Sequence, residues 1–174
     1  WKDPKNKKFK KAYFSKYKNI WHHGDFIQRT RHGGFVILGR SDATLNPGGV
    51  RIGTAEIYRQ VENIKFVSES LVVGHNCDND IRIILFVVLN SKQKLDKNDI
   101  IYIKNQIRKN CSPKHVPYKI IEIPEIPRTK SGKIVELAVK KTINGEKIEN
   151  LQALANPESL TFFKKLYKSK IINE

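Results

Sequence analysis

Methionine is absent from the sequence, and cysteine occurs only twice in 174 residues. Cys77 and Cys111 form no Cys-x-x-Cys motif and have no histidine at metal-ligand spacing. This pattern disfavours a disulfide scaffold and a structural zinc site, and it predicts reduced thiols in a cytoplasmic protein. Because the chain starts at Trp1 without an initiator methionine, we expect it to be a piece of a longer protein.

Long apolar runs are also missing. The longest, residues 81–89, is interrupted by Arg82 and falls short of the roughly 18 apolar residues that a membrane span requires. No signal peptide heads the chain. The sequence therefore predicts no association with a membrane.

Acidic residues are few: 17 Asp and Glu stand against 33 Lys and Arg, for a formal charge of +16. This balance suits a phosphate-rich partner. Residues 1–20 also interleave Phe9, Tyr13, Phe14 and Tyr17 with lysines, which is compatible with base stacking. Two interpretations stay open: a small basic nucleic-acid-binding module, or a solvated surface with a peripheral arm packed on another domain. We favour the second.

Familiar catalytic histidine arrangements are not evident. None of the five histidines has a neighbourhood that marks it as the base of a Ser-His-Asp triad. His22 and His23 are adjacent, and neighbouring residues on a strand point to opposite faces, so a shared metal ion is not expected. The sequence predicts no metal site.

Residues 39–53 are the most distinctive stretch that is present. Arg40 and Arg51 flank a Pro-Gly-Gly bend, and a bent backbone of this kind can bring two guanidinium groups together. This pattern favours binding of an anion.

The remaining pattern predicts an α+β fold: a small C-terminal domain with a central three-stranded, mainly antiparallel sheet flanked by helices, preceded by a β-hairpin of a larger domain. Thr54 is predicted to cap the first helix of this domain and Asp96 the second. The predicted elements are the hairpin at about 25–39, strands at 70–74, 81–89 and 119–123, a helix at 134–143 and a terminal helix at about 157–169.

Residues 127–133 form a predicted exposed loop that presents Lys133 on a flexible Thr-Lys-Ser-Gly turn. The loop lacks the spaced first glycine of a Walker motif and does not follow the first strand of a βαβ unit. An ordinary basic surface loop and a loop that places a lysine on a ligand are both compatible with these residues.

Four segments, in this order and spacing, resemble the C-terminal portion of the adenylate-forming acyl-CoA synthetases. They are residues 21–25, 39–42, 49–57 and 127–133. Closer matches at 42–49, 144–146 and 154–160 look like the acetoacetate-activating branch of that family. The resemblance covers nearly the whole chain.

The resemblance implies a two-step reaction. Acetoacetate and ATP give an acyl-adenylate and diphosphate, and the CoA thiol then displaces AMP, with rotation of the small domain between the steps. ATP with Mg²⁺ and CoA are the implied co-substrates, bound mainly with the protein's own N-terminal domain. No nucleic acid is an implied partner. Residues 1–41 would be the tail of that large adenylation domain, and residues 42–174 would be the mobile domain.

The resemblance also implies roles for individual residues. Lys133 matches the catalytic lysine of adenylation, and Asp42 matches the hinge. The other implied contacts are with the nucleotide for Asp25, Arg40 and Arg51, and with CoA for Gly49 and Arg108.

Two positions depart from the family pattern. Ala43 stands where a second acidic residue often follows the hinge, and residues 135–137 replace a basic pair that is common after the catalytic lysine. The diphosphate loop, adenine pocket and acyl pocket of the family lie upstream of these residues. We therefore expect the 174 residues alone to be inactive. A stand-alone protein that docks on a separate adenylating chain is a third interpretation.

Overall fold

The computed structural model describes residues 3–90, 94–148, 151–169 and 171–172. The outermost residues of both predicted domains, 1–2 and 173–174, therefore lie outside the described part. Five helices and five strands are described. The helices are α1 (Lys7–Tyr13), α2 (Thr54–Val61), α3 (Lys97–Asn110), α4 (Glu136–Ile143) and α5 (Leu160–Lys168). The strands are β1 (Asp25–Arg29), β2 (Phe35–Arg40), β3 (Val67–Cys77), β4 (Asp80–Leu89) and β5 (Lys119–Glu122).

The central sheet has three strands in the order β3-β4-β5. β3 pairs with β4 in antiparallel fashion, and β4 pairs with β5 in parallel fashion. Asp78 and Asn79 have positive φ angles of 49° and 63°, which turn the chain sharply between β3 and β4. The predicted α+β fold with a mainly antiparallel sheet is confirmed. β3 is longer than the predicted strand 70–74.

Both faces of this sheet are covered. Side chains on a strand alternate between faces, so Leu71 and Val73 join the core under α4 and α5, whereas Val72 joins the core under α2 and α3. The central strand β4 is buried from Ile83 to Val87. This double burial explains its continuous apolar run, which an alternating one-sided strand would not show.

The outer edge of β3 is covered by side chains from two helices. The Tyr58 hydroxyl accepts the Val72 N–H at 3.1 Å. The Asn144 carboxamide accepts the Asn76 N–H at 2.8 Å and donates to the Gly74 carbonyl at 3.2 Å. An open strand edge is a template for unwanted pairing, and these bonds satisfy three of its backbone groups.

Two helix starts differ from the predictions. Gly53, not Thr54, is the N-cap of α2, and its N–H donates to Glu56 Oε1 at 3.0 Å. Helix α4 begins at Glu136 rather than at residue 134, because Ile134 is held in a bridge with Arg128. The cap of α3 is as predicted, since Asp96 accepts the Asp99 N–H at 2.8 Å.

The terminal helix is divided into a short turn, Pro157–Ser159, and α5. Phe163 of α5 is fully buried and packs edge-on against Phe86 of β4, with ring centroids 4.9 Å apart. A bulky aromatic contact of this kind fixes the helix on the sheet.

The N-terminal segment and the hairpin precede the three-stranded sheet, and the hairpin forms a two-stranded sheet of its own. β1 and β2 pair in antiparallel fashion, as predicted. The aromatic side chains of the preceding segment pack on one another, with Tyr13 stacked on Trp21 at a centroid distance of 4.1 Å and Phe9 at the edge of both rings. The stacked faces of Tyr13 and Trp21 are therefore covered by each other.

Candidate functional site

Lys133 lies on a tight turn that projects from the end of the domain. Its carbonyl accepts the Thr129 N–H at 2.8 Å, and its own N–H donates to Thr129 Oγ1 at 3.1 Å. Gly132 has φ +81°, a conformation that a residue with a Cβ adopts only with strain. Residues 130–133 are exposed, as predicted, whereas Pro127 is buried and Arg128 and Thr129 are half-buried. Hydrogen bonds close the turn on both sides of Lys133, and its flexibility stays a prediction.

The turn is joined to the rest of the domain by two further contacts. Lys130 N–H donates to the Ala153 carbonyl at 3.1 Å, and Arg128 N–H donates to Asn156 Oδ1 at 2.9 Å. These bonds connect the turn to the segment that leads into α5. The backbone of Lys133 therefore has a defined position relative to the sheet.

Arg40 and Asp42 form a fork-shaped ion pair at the point where the hairpin ends. Arg40 Nε and Nη2 donate to the two oxygens of Asp42 at 2.8 Å each. This hydrogen bonding lowers the pKa of Asp42, and the same contact raises the pKa of Arg40. Asp25 is the cross-strand neighbour of Arg40, and its Oδ2 contacts His23 Nδ1. The predicted nucleotide residues Asp25 and Arg40 are thus brought together beside the predicted hinge.

A cleft of about 460 Å³ opens next to this ion pair. Arg40 and Asp42 line one wall, and residues 134–137, directly after Lys133, line another. The floor contains Tyr58, whose hydroxyl donates to Glu136 Oε1 at 2.6 Å. The segment that follows Lys133 is therefore connected to α2 and β3 through a half-buried tyrosine.

Glu136 lines this cleft, and the pKa of its carboxyl is raised. Burial raises the pKa of its carboxyl, and the nearby negative charge of Asp42 raises it further, although the bond from Tyr58 acts in the opposite direction. Burial likewise raises the pKa of Tyr58. Glu136 thus binds its proton more tightly in the folded chain than in the unfolded one.

Replacement of Glu136 by glutamine is expected to stabilise the chain at neutral pH. Because the folded-state pKa is raised, the stability linked to protonation is present below about pH 4, the unfolded-state range, and is lost as the pH rises through the folded-state pKa. The glutamine variant avoids this loss. Thermal unfolding between pH 4 and pH 8 should show a higher Tm for Glu136→Gln at neutral pH and convergence with wild type in acid.

Glu62→Gln, at the exposed cap residue that follows α2, is the matched control for loss of one negative charge. If the two substitutions change the Tm equally at every pH, the explanation by burial of Glu136 is incorrect.

Gly49 lies in a second turn, Pro47–Gly49, at the other end of the domain. Gly48 N–H donates to Asp80 Oδ1 at 2.7 Å, which ties this turn to the tip of the β3-β4 hairpin. Gly49 has φ +78° and open space where a Cβ would project. Arg51 follows on the exposed surface, with its guanidinium 4.9 Å from the Phe26 ring centroid. This stacking is a cation–π contact with the hairpin.

Arg108 lies exposed in the last turn of α3. The chain then enters the turn Pro113–His115, and a Cβ added to Gly48 would lie 3.2 Å from the Nζ atom of Lys114. The Lys114 side chain therefore reaches the turn that carries Gly49, and Lys114 follows α3, the helix of Arg108.

Ser112, His115 and Glu56 form a network that superficially resembles a triad. Ser112 Oγ lies 2.8 Å from His115 Nδ1, and His115 Nε2 lies 3.3 Å from Glu56 Oε2. Glu56 also accepts the N–H of the α2 cap residue. The network therefore joins the start of α2 to the end of α3, which is a structural function.

Neither a metal cluster nor a membrane span is found in the part of the chain that the structure describes. No group of three or more His, Cys, Asp or Glu side chains there is placed to hold a metal ion. None of the described helices combines the length and the apolar character needed to cross a membrane.

Sequence reasoning missed three residues of this region. Tyr58 and Glu136 are distant in sequence, so no local pattern indicates their contact. Arg128 falls within the quoted motif 127–133 but was given no role. Its guanidinium donates to the Gly132 carbonyl in the turn of Lys133, and the residue type alone does not indicate such an internal contact.

Comparison with known proteins identifies close relatives, although no protein-family model matches the chain. Acetoacetyl-coenzyme A synthetase of Rhizobium meliloti is 54% identical over 98% of this chain and 26% of that protein. Acetoacetyl-CoA synthetase of Xenopus tropicalis is 45% identical over 95% of this chain and 25% of that protein. The chain thus spans about a quarter of the length of these relatives.

A solved structure agrees with these relatives. Acetoacetyl-CoA synthetase from Streptomyces lividans superposes with a TM-score of 0.89 at 39% identity, over 98% of this chain and 26% of that protein. The relatives lend no support to the nucleic-acid-binding alternative. The chain belongs to the acetoacetyl-CoA synthetase family and corresponds to the C-terminal portion of its members.

Proposed function

We propose that the chain is the mobile C-terminal part of an AMP-forming acid–thiol ligase that converts acetoacetate, ATP and CoA into acetoacetyl-CoA, AMP and diphosphate. In the first step a carboxylate oxygen of acetoacetate attacks the α-phosphorus of ATP, and the bond to the diphosphate breaks. In the second step the CoA sulfur, after loss of its proton, attacks the acyl carbon, and the bond to AMP breaks.

In the proposed reaction one lysine acts on the reacting phosphate, and three further residues contact the nucleotide. Lys133 lies between the substrate carboxylate and the α-phosphate and stabilises the negative charge of the pentavalent phosphorus. Asp25 accepts the ribose hydroxyls, Arg40 lies against the ribose and phosphate, and Arg51 reaches the phosphates in one orientation. ATP enters with Mg²⁺ as its substrate complex, held mainly by upstream residues.

Gly49 and Arg108 are the proposed CoA contacts. A glycine lets the pantetheine chain pass close to the backbone, and an arginine suits the 3′-phosphate. Asp42 is the proposed hinge. Residues 1–41 and 42–174 belong in this proposal to the large and the mobile domain.

The observation that carries the proposal is the separation of the two functional turns. Arg128 beside Lys133 contacts Glu69 near the start of β3, whereas Gly48 contacts Asp80 next to its end. A rise of about 3.3 Å per residue separates Glu69 from Cys77 by roughly 26 Å. A rigid domain that carries Lys133 and Gly49 at opposite ends of a long hairpin can present them to one active site only in turn.

We also propose that the protein is cytoplasmic and acts in lipid metabolism and ketone-body utilisation. Both described cysteines are free, which fits a reducing compartment. Acetoacetate rather than another short acid is proposed from the relatives.

A half-reaction assay of the complete protein tests both the reaction and its substrate. With ATP and acetoacetate we expect diphosphate release, and we expect much slower release with acetate or butyrate. Thioester formation should then require CoA. The 174 residues alone should release no diphosphate with any of the three acids. Preference for acetate or butyrate would refute the assigned substrate, and no adenylation with any acid would refute the assigned reaction.

A further inference from the structure

Arg128 makes two hydrogen bonds through one guanidinium group. Nη1 donates to the Gly132 carbonyl at 2.8 Å, and Nη2 donates to Glu69 Oε1 at 2.6 Å. The first acceptor belongs to the turn that carries Lys133, and the second belongs to β3. The planar guanidinium therefore connects the turn to the central sheet directly.

The bond from Arg128 to the Gly132 carbonyl is important because this carbonyl directly precedes Lys133 in the chain. The Gly132 carbonyl and the Lys133 N–H belong to the same peptide plane. Arg128 donates to the carbonyl, and the N–H donates to Thr129 Oγ1, so both sides of this plane are held. The next plane is fixed where the Lys133 carbonyl accepts the Thr129 N–H. With both planes held, the Cα–Cβ direction of Lys133 is defined, and only its side-chain torsions stay free.

We propose that Arg128, together with Glu69, is a positioning residue that aims Lys133 for adenylation. The inference rests on the proposed function of Lys133. Arg128 itself bonds to the turn and to β3, so it acts through Lys133. Its backbone is fixed independently by Asn156 and Ala155, which lets the guanidinium serve as a brace. Lysine cannot replace it fully, because a single ammonium lacks the planar fork that spans two acceptors.

Arg128→Ala in the complete protein tests this inference. A small misplacement of a reacting group can cost roughly 10²-fold in rate, so we expect a 10- to 100-fold lower kcat for acyl-adenylate formation. The KM for acetoacetate should change little. Thioester formation from supplied acetoacetyl-adenylate and CoA should stay near the wild-type rate. Equal loss in both half-reactions, or no loss in either, would overturn the inference.

Lys130→Ala is the matched control. Lys130 lies on the same exposed turn and carries the same charge, but its described hydrogen bond comes from its backbone N–H and persists in alanine. We expect wild-type adenylation from this variant. A loss as large as that of Arg128→Ala would show that positive charge on the turn matters rather than the brace.

Two milder variants keep the test decisive if Arg128→Ala does not fold. Arg128→Lys should recover part of the adenylation rate, and Glu69→Gln should lose part of it while retaining an acceptor. If both have wild-type adenylation, Arg128 does not position Lys133.

A double variant separates this inference from the proposed function. In a Lys133→Ala background, Arg128→Ala should add no further loss of adenylation, because it acts through the missing lysine. Additive losses would contradict positioning through Lys133. If Lys133→Ala alone leaves adenylation intact, the proposed function of Lys133 is wrong; if only Arg128→Ala leaves it intact, the positioning role alone is wrong.

Discussion

Replacement of Lys133 by alanine is expected to slow acyl-adenylate formation on the order of 10²- to 10³-fold, the usual cost of removing one group that stabilises transition-state charge. The ammonium is exposed on a hydrogen-bonded turn, so its removal leaves the fold intact. Thioester formation from supplied acetoacetyl-adenylate should be nearly unchanged, because the proposed CoA contacts lie toward the other end of the domain. Single-turnover diphosphate release and CoA consumption measure the two steps separately.

Lys133→Arg gives a sharper comparison than alanine alone. It keeps the positive charge but replaces a compact ammonium with a larger planar group. We expect a rate between those of alanine and wild type. Equal slowing of both half-reactions by Lys133→Ala would contradict a role confined to adenylation.

Elements with local causes could be predicted from the sequence. Asp96 accepts the N–H of Asp99 within one turn, and the apolar stripe that continues through Ile103 and Ile107 is buried. The hairpin is likewise visible as two short strands around a glycine-containing turn. In each case residues that are close in sequence are also in contact, so the local sequence pattern predicts the structure.

Features that depend on distant contacts could not be predicted. Helix α4 begins later than its apolar pattern suggests, because Ile134 bridges to Arg128 across the turn of Lys133. The cap of α2 is Gly53, and packing against the hairpin requires a glycine there because an added Cβ would lie 2.1 Å from the Leu38 carbonyl oxygen. Tertiary packing determines both positions, and propensity gives no indication of it.

The candidate site likewise contains residues that the sequence indicates and contacts that only the structure shows. The resemblance of segments 39–42 and 127–133 to the synthetase family indicated Lys133, Arg40 and Asp42. The contact of Tyr58 with Glu136 and the brace by Arg128 join separate elements, and only the folded arrangement reveals them.

Proline at position 42 is expected to impair passage between the two proposed orientations of the mobile domain. Proline fixes φ near −65°, whereas a hinge residue must change its torsions. The hairpin packs against α2 beside this point: Arg59 Nη2 donates to the Ile37 carbonyl at 3.1 Å, and a Cβ added to Gly39 would lie 3.0 Å from Thr54 Oγ1, so rotation must exchange these contacts. If proline leaves about 1% of the molecules in the disfavoured orientation, the half-reaction that needs it slows roughly 10²-fold.

Asp42→Ala is the control that this test requires. Both substitutions remove the carboxylate that pairs with Arg40, but alanine leaves the backbone torsions free. We therefore expect alanine to slow each half-reaction modestly and proline to slow one half-reaction much more than the other. Measurement of adenylation and thioester formation separately in the complete protein gives the comparison. Should proline and alanine affect both half-reactions equally, torsional change at Asp42 is not required, and the rotation must occur about a different residue.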